Sequence, residues 1–241
     1  MSTLKSNVIE PATGTNLTLG ASGDVVTVPS DALQLNTWKD SGGNTLFTSD
    51  GSGNLSSINS ALDIGGGPNL ITTQTASASS SISFTSDIDS TYDKYMFVFV
   101  NINPATNNVH FQFNGSTDSG SNYNATKTTT VWHAYNGESA SYNFGYDTSY
   151  DLAQSTSDQL LLPGIGNGAD ECGAGILHLF NPSSTTYVKH FSATTNSHFH
   201  SNYSHESFIG GYFNTTSAID AVQFKMASGN FDGTIKMYGI G

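Results

Sequence analysis

The chain has 241 residues and a formal charge of -12, from 7 Lys+Arg against 19 Asp+Glu, yet only 11% of its residues are charged. An ordinary globular domain carries roughly 25%. All seven basic residues are lysines, so the chain has neither a basic surface for phosphates nor guanidinium forks for base edges, and a nucleic-acid partner is not expected. No stretch approaches the roughly 18 consecutive apolar residues of a membrane span, so membrane insertion is not expected either.

Cys172 is the lone cysteine, which excludes an intrachain disulfide and a multi-cysteine zinc site. The opening MSTLKSNVIEPATG has no apolar h-region and does not read as a signal peptide, so synthesis in a cytosol is expected. With 36% hydrophobic and 11% aromatic residues, the chain has enough apolar surface for a real core.

Residues 1–70 are poor in aromatics and rich in glycine. Short apolar pairs (Leu17 and Leu19, Val25 to Val28, Leu33 and Leu35, Leu46 and Phe47) alternate with Gly20, Gly23, Gly42, Gly43, Gly51 and Gly53, a pattern of very short strands and turns. Strands of this kind bury too little to offset an ordering entropy of roughly 1–2 kcal/mol per residue. The segment is therefore expected either as a linker or as a shaft that winds around copies of itself. Residues 71–84, rich in Ser and Thr, follow the hinge Gly65, Gly66, Gly67, Pro68 and read as a linker.

Period-2 alternation is strong from about Ser81 onward. The clearest strands are SISFT, DKYMFVFVNIN, NVHFQFN, TTVWHAY, DQLLLP, GAGILHLFN, TTYVKHFSAT, SFIGGYF, AIDAVQFKMA and GTIKMYG. Phe97 and Phe99 share one face of their strand, while Met96, Val98 and Val100 share the other; apolar residues on both faces predict a strand inside a two-sheet stack. Asn114-Gly115 and Asn136-Gly137 are hairpin-type turn pairs. No window carries a helical period with caps. The pattern is all-β: an extended shaft of short strands over residues 1–70, then a jelly-roll-like β-sandwich over residues 85–241.

The stretch IEPATGTNLTLGASGDVVTVPSDALQL resembles the opening of tail-fibre and virion structural proteins of marine and cyanobacterial phages. The segments YDKYMFVFVNINPAT, LFNPSSTTYVKH and AIDAVQFKMASGNFDGTIKMYGIG resemble a module from the same phages. What the resemblance implies is a homotrimer on the virion, attached to other virion proteins by its N-terminus and ending in a β-rich head. Closed threefold symmetry would also hide the strand edges that a single polar shaft exposes.

Two clusters are candidates for chemistry. His198 and His200, in SHFHSNYSHE, would point to one side of an extended segment and form a candidate metal site; the pattern is similar to metal-binding repeats in the tips of T-even long tail fibres. The alternative is an exposed polar loop, and no cofactor is expected. The second cluster comprises Trp132, Tyr135, Tyr142, Phe144, Tyr146 and Tyr150, with Phe199 and Tyr203 in a later loop. Tyr142, Phe144 and Tyr146 fall at i, i+2, i+4 and put three rings on one strand face. Such a row is either a sugar-stacking surface beside Asn, Asp and Ser, or sheet core and trimer interface. The Tyr-Asn-Ser-Gly flavour of the loops matches adaptable recognition surfaces.

Glycoside hydrolysis would need two carboxylates about 5–10 Å apart. Glu138, Asp147, Asp151, Asp170 and Glu171 supply candidates, but no spacing brings a pair together, and no enzymatic activity is expected. The expected function is a tail fibre that recognises a host-surface glycan or protein through C-terminal loops. The alternative is a head fibre or capsid decoration protein without receptor binding.

Overall fold

The computed structural model describes residues 37–40, 42–52, 55–56, 58 and 67–241. The chain divides into two compact units, Met1–Ile64 and Gly65–Gly241. Most of the expected shaft and its attachment segment lie outside the described residues. Strands are the regular structure throughout, and no helix occurs among the described residues.

In the first unit, β1 (Thr37–Lys39), β2 (Thr45–Ser49) and β3 (Leu55–Ser56) form an antiparallel three-stranded sheet. Asp40 shapes the β1–β2 turn: its Oδ1 accepts from the backbone N–H of Gly42 and Asn44 at 2.9 and 2.8 Å. Gly43 takes the left-handed conformation at φ 84°, which costs glycine nothing. Trp38 and Phe47 pair across the strands with rings stacked 5.6 Å apart.

The second unit is one large antiparallel sheet of twelve strands, nearly closed into a barrel. Its strands are β4 (Asn69–Ser79), β5 (Ser81–Phe84), β6 (Lys94–Pro104), β7 (Val109–Ser116), β8 (Lys127–Gly137), β9 (Tyr142–Tyr146), β10 (Gln159–Ile165), β11 (Gly173–Phe180), β12 (Lys189–Phe199), β13 (Tyr203–Phe213), β14 (Ala221–Met226) and β15 (Phe231–Ile240). The broad part runs β4-β15-β6-β11-β12-β13-β8-β9, and a second part runs β10-β7-β14-β5. The two join where Ile165 at the end of β10 pairs with Phe199 at the end of β12.

Residues 71–84, expected as a linker, instead belong to this sheet. β4 pairs with β15 along most of its length and β5 pairs with β14. Backbone hydrogen bonding holds β4 in place, because Ala76 is its one buried hydrophobic side chain. Asn114-Gly115, expected as a turn, lies inside β7. Gly115 is there because a Cβ would sit 2.9 Å from the Phe213 ring.

Inward-facing phenylalanines fill the interior. Phe224 of β14 lies 5.3 and 5.1 Å from Phe97 and Phe99 of β6, and 6.1 Å from Phe84. Phe113 meets Phe191 edge-on at 5.0 Å, one of the geometries that ring quadrupoles favour. β6 departs from expectation. Tyr95, Phe97 and Phe99 are buried, but Met96 and Val98 are only half-buried and Val100 is exposed, so its second face looks outward.

Among the described residues, two lysines are fully buried. Lys189, Phe213 and Lys127 line up across β12, β13 and β8. The Lys127 Nζ donates to the Ser157 carbonyl at 2.6 Å and the Lys189 Nζ to the Thr215 carbonyl at 3.0 Å. Desolvation pushes Lys127 down to about 8 and lowers Lys189 as well, because burial disfavours the charged form.

Candidate functional site

The β8–β9 hairpin carries the site. Its turn closes with the N–H of Gly137 donating to the Ser141 carbonyl at 2.7 Å and the N–H of Ala140 to the Gly137 carbonyl at 2.8 Å. Only glycine fits at 137, since a Cβ would come within 2.5 Å of the Tyr203 ring. This turn sets the register Trp132↔Tyr146, Ala134↔Phe144 and Asn136↔Tyr142. Paired residues share a face, so the three rings of β9 lie on the face of Trp132, Ala134 and Asn136.

That face is turned to water. Tyr142 is 83% exposed, Phe144 72% and Tyr146 58%. β9 pairs only with β8, so the row occupies a sheet edge with nothing beyond it among the described residues. Ala134 opposite Phe144 is too small to cover the ring. Trp132 is anchored by stacking on Phe208 of β13 at 5.5 Å, with the planes 11° apart.

A concavity of about 350 Å³, lined among others by Asn136, Glu138, Asn196, His198, Asn202, Tyr203 and Ser204, adjoins the hairpin through Asn136, the cross-strand partner of Tyr142. Register explains the grouping: His198 pairs with Ser204 and Ser204 with Asn136. Two turn tips meet at its rim, where the N–H of Glu138 donates to the Asn202 carbonyl at 3.1 Å. Within it, the Asn196 amide donates to Glu206 Oε2 at 2.9 Å and to Ser204 Oγ at 3.1 Å. The His198 Nδ1 stands 3.4 Å from Glu171 Oε1.

The other predicted rings lie on the opposite face. Tyr135 stacks on Tyr203 at 5.1 Å, and Phe199 stacks on Tyr203 at 5.9 Å and on His205 at 5.7 Å. Tyr150 is half-buried, edge-on to His110 at 5.5 Å. Tyr135, Phe199, Tyr203 and Tyr150 are thus packed against one another or the core, with Tyr203 also lining the concavity, whereas Trp132, Tyr142, Phe144 and Tyr146 form the open row. His205, inside the stack, is pushed down to about 4, first by burial and then by the His133 ring beside it, against an opposing pull from Asp147. His133 faces Asp147 at 3.3 Å.

His198 and His200 fall on either side of a strand end. β12 ends at Phe199, and with it the alternation that would set both imidazoles on one side. His200 lies in the following turn, its N–H donating to the Gly164 carbonyl at 2.9 Å. Among the described residues, no three His, Cys, Asp or Glu side chains converge as a metal set. Two of the carboxylates weighed for hydrolysis hold local structure. Asp151 accepts from the Val131 N–H at 2.7 Å, and Glu171 from the Gly168 N–H at 2.6 Å.

Sequence reasoning missed Asn136, Asn196, Ser204 and Phe208. The Asn136-Gly137 turn held the signal for the first, because counting back from the turn sets Asn136 opposite Tyr142. The others depend on the β12–β13–β8 pairing, which leaves no local mark.

In comparison with known proteins, no family model matches the chain, and no curated protein or solved structure shows significant similarity to it. Chemically, the arrangement combines flat apolar rings in water with a polar concavity of amides, a hydroxyl and an imidazole, which suits binding of a polyhydroxylated ligand.

Proposed function

We propose that this chain is a virion appendage of the phage tail-fibre kind, a homotrimer whose C-terminal unit recognises the host surface without doing chemistry on it. The observation that carries this reading is the exposed row Tyr142, Phe144, Tyr146 on a sheet edge. Large exposed rings are costly to keep in water and are characteristic of recognition surfaces. The resemblance of the N-terminal stretch to phage fibre proteins points the same way. A capsid decoration protein would need no such row, so the row favours the fibre over that alternative.

The homotrimer draws support from the outer face of β15, β6 and β11. Three cross-strand rows, Ile240–Lys94–Phe180, Tyr238–Met96–His178 and Lys236–Val98–Ile176, carry two lysines and no Asp or Glu. Ile176 and Phe180 are exposed on this face and Met96 and Val98 only half-buried. In a chain of charge -12, this is a face on which copies can approach without opposing carboxylates.

Light scattering on the purified full-length protein, run beside fluorescent labelling of bacterial cells, tests the proposal. A trimer that labels cells supports it. A trimer that labels none would favour capsid or tail structure, and a monomer would remove the fibre reading.

A further inference from the structure

We infer that the concavity adjoining the β8–β9 hairpin is a subsite for an uncharged pyranose unit of an oligosaccharide, with the Tyr142 ring as its stacking platform and Asn136, Asn196, Asn202 and His198 as hydroxyl partners. The inference rests on the recognition reading above and narrows it to a ligand class.

Four observations carry it. The volume of about 350 Å³ lies at the lower end of small-molecule sites, the size for one or two sugar units. Beside Glu138 and the Tyr203 ring, the lining carries groups that both donate and accept: three Asn amides, the Ser204 hydroxyl and an imidazole. Sugar hydroxyls also do both; Asn196, whose amide N–H groups are given to Glu206 and Ser204, meets them through its Oδ1. Tyr142 stands directly across the strand pair from Asn136 with 83% of its surface in water, so its ring can cover the C–H face of a pyranose whose hydroxyls reach the amides. Phe144 and Tyr146 continue the platform along the edge at roughly 7 Å per two residues, which suits a chain of sugars more than a single one.

The charge of the site decides which sugars fit. Glu138 lines the concavity, Glu206 is bonded to Asn196, and Glu171 stands beside His198. No lysine lines it, and the chain has no arginine. A uronic acid, sialic acid or phosphorylated sugar would bring a like charge against these carboxylates with no cation to receive it. Neutral hexoses and N-acetylhexosamines meet no such penalty.

The test is an array of neutral and acidic oligosaccharides, including chitotriose, mannotriose, lactose, sialyllactose and digalacturonate, probed with the full-length protein and its variants. Neutral sugars should be retained in preference to acidic ones. Tyr142→Ala should weaken retention about tenfold, the equivalent of one stacked ring, and Asn136→Ala should weaken it as well. Tyr142→Trp should retain binding, which separates loss of the platform from loss of the fold. Preference for acidic sugars, or neutral binding unchanged in Tyr142→Ala, would overturn the subsite. Cell labelling run in parallel separates the two levels: cells labelled with no sugar retained overturns the subsite alone, and neither cells nor sugars bound overturns the recognition reading with it.

Discussion

Tyr142 stands directly opposite Asn136 across the β8–β9 ladder, on the face of the sheet that the core does not use. That single pairing joins a water-exposed ring to the rim of a polar concavity. One residue along β8, Tyr135 points the other way and stacks on Tyr203. Strand alternation thus divides one aromatic cluster into an outer row and an inner stack.

The unit Gly65–Gly241 should fold without the residues before it, but its start cannot be moved far. A fragment beginning at Gly67 is expected to give a cooperative, β-rich melt. A fragment beginning at Thr85 lacks β4 and β5, leaving β15 and β14 each without one partner and the Phe84 contacts with Phe97 and Phe224 unmade. It should be insoluble or melt without a cooperative transition. Circular dichroism on the two fragments distinguishes the cases, and equal melts would mean that residues 69–84 are dispensable.

Acid should destabilise the unit Gly65–Gly241 through His205. Its folded value of about 4 lies below the ordinary 6.5, so between these values the unfolded chain binds a proton that the folded one refuses. Stability is therefore lost as pH falls from 6.5 towards 4, by about 3 kcal/mol at most. His205→Phe keeps a ring in the stack and removes the titration. Urea midpoints at pH 7 and pH 4 should shift less in the variant than in the wild type, and equal shifts would remove His205 as the cause.

The outer face of β6 and β11 offers a separate test of assembly. Val98 and Ile176 are cross-strand neighbours that the chain itself leaves partly uncovered. Val98→Asp combined with Ile176→Asp should lower the mass seen by light scattering towards that of one chain, with the strand signal retained. An unchanged mass would move the interface elsewhere.

Much of this was legible in the sequence, and the exceptions have physical causes. The strands around Phe97, Phe111, Leu177 and Phe224 declare themselves because alternate residues must be apolar to fill an interior. β4 does not, because NLITTQTASAS is held by its pairing to β15 more than by burial. Asn114-Gly115 carries a turn signature, but the glycine serves close packing against Phe213. The buried Lys127 is invisible to any pattern, since its carbonyl partner at Ser157 lies 30 residues away. For the site, period 2 placed Tyr142, Phe144 and Tyr146 together but could not say whether water or core faced them. That depends on β9 being the edge strand, which is a property of the whole sheet.

The most direct measurement is fluorescent labelling of bacterial cells by the full-length protein and by a variant carrying Tyr142→Ala, Phe144→Ala and Tyr146→Ala together. The rings are exposed enough that the melting temperature should stay within a few degrees, since surface substitutions cost about 0.5 kcal/mol or less each. Labelling should be lost while the melt and the mass are kept. Labelling retained by the triple variant would contradict it.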